Sequence, residues 1–133
     1  MLNKQQREAL HAKYGGKCAY CGCELSNKWH ADHIVPVIRD LERVKKGQYW
    51  TKRSKNTHNN PHLEIMENLN PACIQCNIHK SSLSLESFRR ILSEKLERLE
   101  RYSKDYRFAV TFGLIQPTPK PIIFYFEKVA NNE

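Results

Sequence analysis

Three observations predict an α+β fold. Two stretches combine a helix-start signal with apolar residues at helical spacing, two others have strand character, and two Cys-x-x-Cys pairs offer to tie distant parts together. At 133 residues the chain has the size of a single domain, 1–133. A hairpin and one helix within it would bury too little apolar surface to hold shape unaided, and a structural metal would supply what that small core lacks.

The first helix is expected from Asn3, a capping residue, to about Tyr14. Gln6 completes a capping box, Leu2 is a staple candidate, and Gly15-Gly16 ends the helix. Cys18-Ala-Tyr-Cys21 then forms half of a clamp whose other half is Cys73 and Cys76, four thiolates at the spacing that grips one tetrahedral Zn²⁺. Cys23 could replace Cys18 or Cys21, but a single intervening residue makes a poorer turn than two, so it reads as a free thiol. The alternative for the set is four unrelated small buried residues.

Trp29 to Val35 has strand character, with His30 and Asp32 on one face and His33 on the other unless the strand bends, and Pro36 supplies a bend. Residues 39–62 are polar, with Arg39, Arg43, Lys45, Lys46, Lys52, Arg53 and Lys55 opposed only by Asp40 and Glu42, and read as an insertion. The Tyr49-Trp50 pair within it either stacks on or wedges into a nucleic acid or packs back on the core of a solvated loop. Asn70-Pro71 predicts a helix starting at Pro71 and carrying Cys73, Cys76 and Asn77.

Ser84 caps a further helix with an apolar stripe of Phe88, Ile91, Leu92, Leu96, Leu99, Tyr102 and Tyr106, and Glu94/Arg98 and Glu97/Arg101 pair on its wet face. Helical spacing continues to a plausible end at Gly113. Residues 116–121 form a linker, and Ile122 to Glu127 read as a strand. No internal repeat is present.

The 22 Lys and Arg outnumber the 14 Asp and Glu, a formal charge of +8, which suits a polyanionic partner and is also common in basic proteins without one. No apolar run approaches the roughly 20 residues of a membrane span. The opening Met-Leu-Asn-Lys-Gln-Gln lacks the apolar segment of a secretory signal, so a cytoplasmic protein with reduced thiols is expected, and an odd count of five cysteines favours zinc over disulfides.

Cys18, Cys21, Asp32-His33-Ile34-Val35-Pro36, Asn68-Leu69, Cys73, Cys76-Asn77 and Lys80 occur in an order that resembles the HNH endonucleases, in a four-cysteine zinc form with Asn in the third position. The resemblance implies a ββα-metal core over residues 14–82 clamped by zinc, with 39–62 inserted and 83–133 as a helical extension ending in a strand. It implies that His33 is the general base, that Asn68 orients its imidazole, and that Asp32 and Asn77 hold a catalytic Mg²⁺ or Mn²⁺ through oxygen. Double-stranded DNA would be the substrate, contacted by Arg39, Lys45, Lys46, Lys52, Arg53, Lys55 and Lys80. His79 is a rival ligand about 200° round the helix from Asn77, so one of the two should face away. Small free-standing proteins of this kind belong to phages, mobile elements and bacterial defence systems, where a phage or defence protein partner is possible.

Two other classes fit part of the pattern. One is a zinc-stabilised nucleic-acid-binding module without catalysis. The other is an interaction protein, such as a homodimer, built on the long amphipathic helix.

Overall fold

The computed structural model describes the backbone of residues 2–37, 39–58 and 61–131, and the side chains of these except 39–40, 54–58 and 61. Helices and two small antiparallel sheets make up an α+β architecture. Helix α1 spans Lys4–Ala12, and both halves of its capping box are present: Asn3 Oδ1 accepts from Gln6 N at 2.8 Å and Gln6 Oε1 accepts from Asn3 N at 3.0 Å. Leu2 and Leu10 pack with Trp29 and Leu69 in the smaller of two core clusters.

Strand β1 (His30–His33) pairs antiparallel with a strand near residue 70, β4 (Leu69–Ala72), setting Asp32 opposite Asn70 and His33 opposite Leu69. The helix expected from Pro71 therefore starts later. Asn70 and Pro71 belong to β4, Cys73 is the N-cap, and α2 runs Ile74–Lys80. Pairing with β1 outweighs the capping propensity of Asn-Pro, and a two-stranded sheet tolerates a proline that lacks one donor.

Residues 39–58 form a hairpin rather than a loop. β2 (Arg39–Lys46) pairs with β3 (Tyr49–His58) across a tight turn containing Gly47, whose φ of +64° suits glycine. Tyr49 and Trp50 are exposed and do not pack back on the core.

The long helix expected after Ser84 is three helices: α3 (Leu85–Ser93), α4 (Lys95–Tyr102) and α5 (Lys104–Thr111). Ser103 makes the second break. Its backbone is extended and its hydroxyl accepts from Tyr106 N at 3.1 Å, capping α5. Glu97 pairs with Arg101 as expected, whereas Glu94 reaches back to Arg90. Gly113 ends α5 at φ +72°.

The expected terminal strand is also replaced, because α6 occupies Tyr125–Asn131. Glu127 Oε1 accepts from Phe124 N at 2.9 Å, as a capping acid does. The backbone N–H groups of Tyr125 and Phe126, which lack intrahelical partners, donate to Tyr20 O and Ala19 O at 3.0 and 2.8 Å. Phe124 thereby enters the main core cluster with Cys18, Tyr20, Ala72 and Phe88. Among the described residues no helix is long and apolar enough to cross a membrane.

Candidate functional site

The Cys18 turn closes through Gly22 N to Cys18 O at 3.0 Å and Cys18 N to Cys23 O at 2.8 Å. Gly22 has φ +78°, a conformation that favours glycine, and a Cβ there would press on the Tyr125 ring at 3.0 Å. On the other side, Cys73 Sγ accepts from Cys76 N and Cys18 Sγ from Cys73 N, each at 3.4 Å. The sulfurs of Cys18, Cys21, Cys73 and Cys76 all lie within 4.8 Å of one another, with Cys21 and Cys73 at 3.9 Å. Four Zn–S bonds of about 2.3 Å would give tetrahedral edges of about 3.8 Å. These four cysteines could hold a metal such as zinc. Cys23 lies outside the group, as expected.

The thiols already polarise one another. A hydrogen bond from Cys76 holds the Cys18 thiol down to about 4, and the same contact, with burial, pushes Cys76 up. Burial pushes Cys21 up as well. A divalent cation among the sulfurs is what would let all four be thiolates.

Beside this cluster, Asp32 and His33 of β1 and Asn77 of α2 line one polar cavity of about 350 Å³. His79 faces away, as one of the two was expected to: its Nδ1 donates to Gln75 O at 2.9 Å, and the ring lines a different cavity. His30 is exposed at the start of β1.

Asp32 is buried, and its Oδ2 accepts from Tyr20 Oη at 2.5 Å and from Lys80 Nζ at 3.0 Å. Lys80 also donates to His33 O at 2.7 Å and is 0% exposed. This corrects its expected role on a phosphate: one helical turn beyond Asn77, it points into the protein and compensates Asp32. Burial, reinforced by the Asp32 charge, pushes the Tyr20 hydroxyl far above its ordinary range, so Tyr20 stays protonated and donates to Asp32.

His33 Nε2 lies 2.5 Å from Glu64 Oε1. A carboxylate accepts, so Nε2 carries the proton, and in the neutral ring the lone pair is on Nδ1. The hydrogen bonds of the Asn68 side chain fall on the backbone rather than on the imidazole. Its Oδ1 accepts from Val35 N, and its Nδ2 donates to Val35 O and Leu63 O, at 2.9 to 3.0 Å. Asn68 O accepts from Ile34 N at 2.8 Å. Asn68 thus fixes the bend that follows His33.

Lys45, Lys46, Lys52 and Arg53 are exposed on the β2–β3 hairpin, and the side chains of Arg39 and Lys55 lie outside the described residues. Tyr20, Glu64 and the inward turn of Lys80 were missed by sequence reasoning. Lys80 alone left a signal, its spacing of three from Asn77 on one helix. The chain matches no protein-family model, no curated protein and no solved structure.

Proposed function

We propose that this chain is a divalent-metal-dependent DNA endonuclease of the HNH kind, its core clamped by zinc at Cys18, Cys21, Cys73 and Cys76. The observation that carries the reading is the shared cavity of Asp32, His33 and Asn77. The pairing of β1 with β4 and the packing of α2 on β1 are compatible with a ββα-metal core.

Each part of phosphodiester hydrolysis then has a candidate. His33 Nδ1 takes the proton of the attacking water, with Glu64 fixing the tautomer at Nε2. Asp32 and Asn77 are oxygen donors of the hard type that suits Mg²⁺ or Mn²⁺, and such an ion would stabilise charge on the phosphate and departing oxygen. Lys80 already offsets the Asp32 charge, so this pair would hold the ion weakly without a substrate phosphate as a further ligand.

The test is supercoiled-plasmid cleavage with Mg²⁺, Mn²⁺ or no added ion, comparing wild type with His33→Ala after both are shown to hold one zinc. Wild type should nick or linearise only with the ion, and His33→Ala should be slower by about 10²–10⁴-fold with DNA binding unchanged. Equal cleavage by both chains would remove His33 from the base role. Binding without any cleavage would favour the non-catalytic zinc-stabilised module, which the basic hairpin also suits.

A further inference from the structure

The hairpin register sorts its charges by face. Residues directly opposite in an antiparallel pair share a face, and neighbours along a strand alternate. Arg43 opposes Lys52 and Lys45 opposes Trp50, so these four share a face with Leu41. Glu42 opposes Arg53, Lys46 opposes Tyr49, and Val44 opposes Thr51 on the other. The second face partly neutralises itself, since Arg53 Nε lies 2.5 Å from Glu42 Oε1. The first carries three cations and, among the described residues 41–53, no acid.

Along β2, Leu41, Arg43 and Lys45 are exposed and Glu42 and Val44 are half-buried, while Lys46, Tyr49, Thr51 and Arg53 of the second face are exposed as well, so charge and not exposure separates the two faces. Trp50 is 60% exposed and Leu41 58%, so the first face also presents apolar surface to solvent. The Arg43 guanidinium sits 5.1 Å over the Trp50 ring, which holds it at the surface. Arg43 and Lys52 directly opposed destabilise an isolated hairpin, and phosphates laid across them would remove that repulsion.

We propose that the Arg43/Lys45/Trp50/Lys52 face docks duplex DNA and that the Lys46/Arg53 face does not. The choice of DNA rests on the endonuclease reading; the choice of face rests on register and charge. A two-stranded ribbon fits the major groove, about 12 Å wide, with its cations reaching the flanking phosphates. Such docking gives affinity rather than base readout.

The experiment measures anisotropy of a labelled random-sequence duplex with His33→Ala protein, without added Mg²⁺, over a series of KCl concentrations. Two double variants remove equal charge: Lys45→Gln/Lys52→Gln and Lys46→Gln/Arg53→Gln. The first should weaken binding about 30-fold at about 0.15 M salt and flatten the salt slope by about 1.8, while the second leaves both near the parent. Trp50→Ala should weaken binding without changing the slope. Equal losses from both double variants, a larger loss from the second, no duplex binding by the parent, or preference for a single-stranded probe would overturn the proposal. Plasmid cleavage by the same variants with His33 intact separates the two ideas. Face-dependent binding without cleavage sinks the endonuclease reading alone, and cleavage with equal losses sinks the docking face alone.

Discussion

The Lys80 ammonium and the Asp32 carboxylate form an ion pair beneath the candidate site, with the Tyr20 hydroxyl donating to the same oxygen. Removing one member of a buried pair leaves the other charged and dry, which costs about 3–5 kcal/mol. Lys80→Met should therefore lower stability in urea by about that amount, and adding Asp32→Asn should recover part of the loss; a cost within 1 kcal/mol would mean that the pair is effectively solvated. Asp32 and His33 were legible from the motif because their chemistry is uncommon in adjacent positions between two cysteine pairs. Tyr20 was not, because its role depends on an aromatic setting assembled from remote segments: its ring meets Phe88 and Phe124 edge-on, at 5.7 and 5.4 Å. The inward turn of Lys80 depends likewise on Asp32, 48 positions earlier on another element.

Arg89 of α3 fastens α6. It donates to Ile122 O at 2.6 Å, grips both Glu127 oxygens at 2.9 and 2.7 Å, and lies 4.7 Å over the Phe124 ring. The hydrogen bonds from Arg89 hold the Glu127 carboxyl below its ordinary range. A carboxyl depressed in the folded state stabilises above its unfolded pKa, and that contribution is lost as pH falls through the folded value. Glu127→Gln should accordingly be less stable than wild type by about 1–2 kcal/mol at neutral pH, and the gap should close in acid; a gap independent of pH would show that the charge is irrelevant. Elements with local signals were legible, namely α1 by its capping box and the end of α5 by Gly113. The β2–β3 hairpin was not, because both faces are polar and no apolar alternation marks a strand. For residues 122–127, β-branched and aromatic propensity pointed to a strand, while the Glu127 cap and the carbonyls of Ala19 and Tyr20 favour a helix.

Across the whole molecule, two small core clusters meet at Leu25, and the larger of them includes Cys18, Cys73 and Cys76. A structural zinc contributes about 10–16 kcal/mol of apparent binding energy in small zinc-finger peptides, so removing a zinc held by these four cysteines should unfold this core. A competing chelator should abolish the near-ultraviolet dichroism of the aromatic cluster, and one equivalent of Zn²⁺ should restore it. If the four cysteines hold zinc, Cys73→Ser should abolish that binding and Cys23→Ser should leave it intact. An unchanged spectrum in the metal-free protein would contradict a structural role. The docking of α6 on Ala19 and Tyr20 also has a kinetic consequence. During synthesis the first cysteine turn emerges early, yet two of the amides that pin its backbone belong to Tyr125 and Phe126. The packing around Tyr20 therefore reaches its finished form only after that segment leaves the ribosome, and a nascent chain halted before it would carry the four clustered cysteines without the Phe124 ring that meets Tyr20.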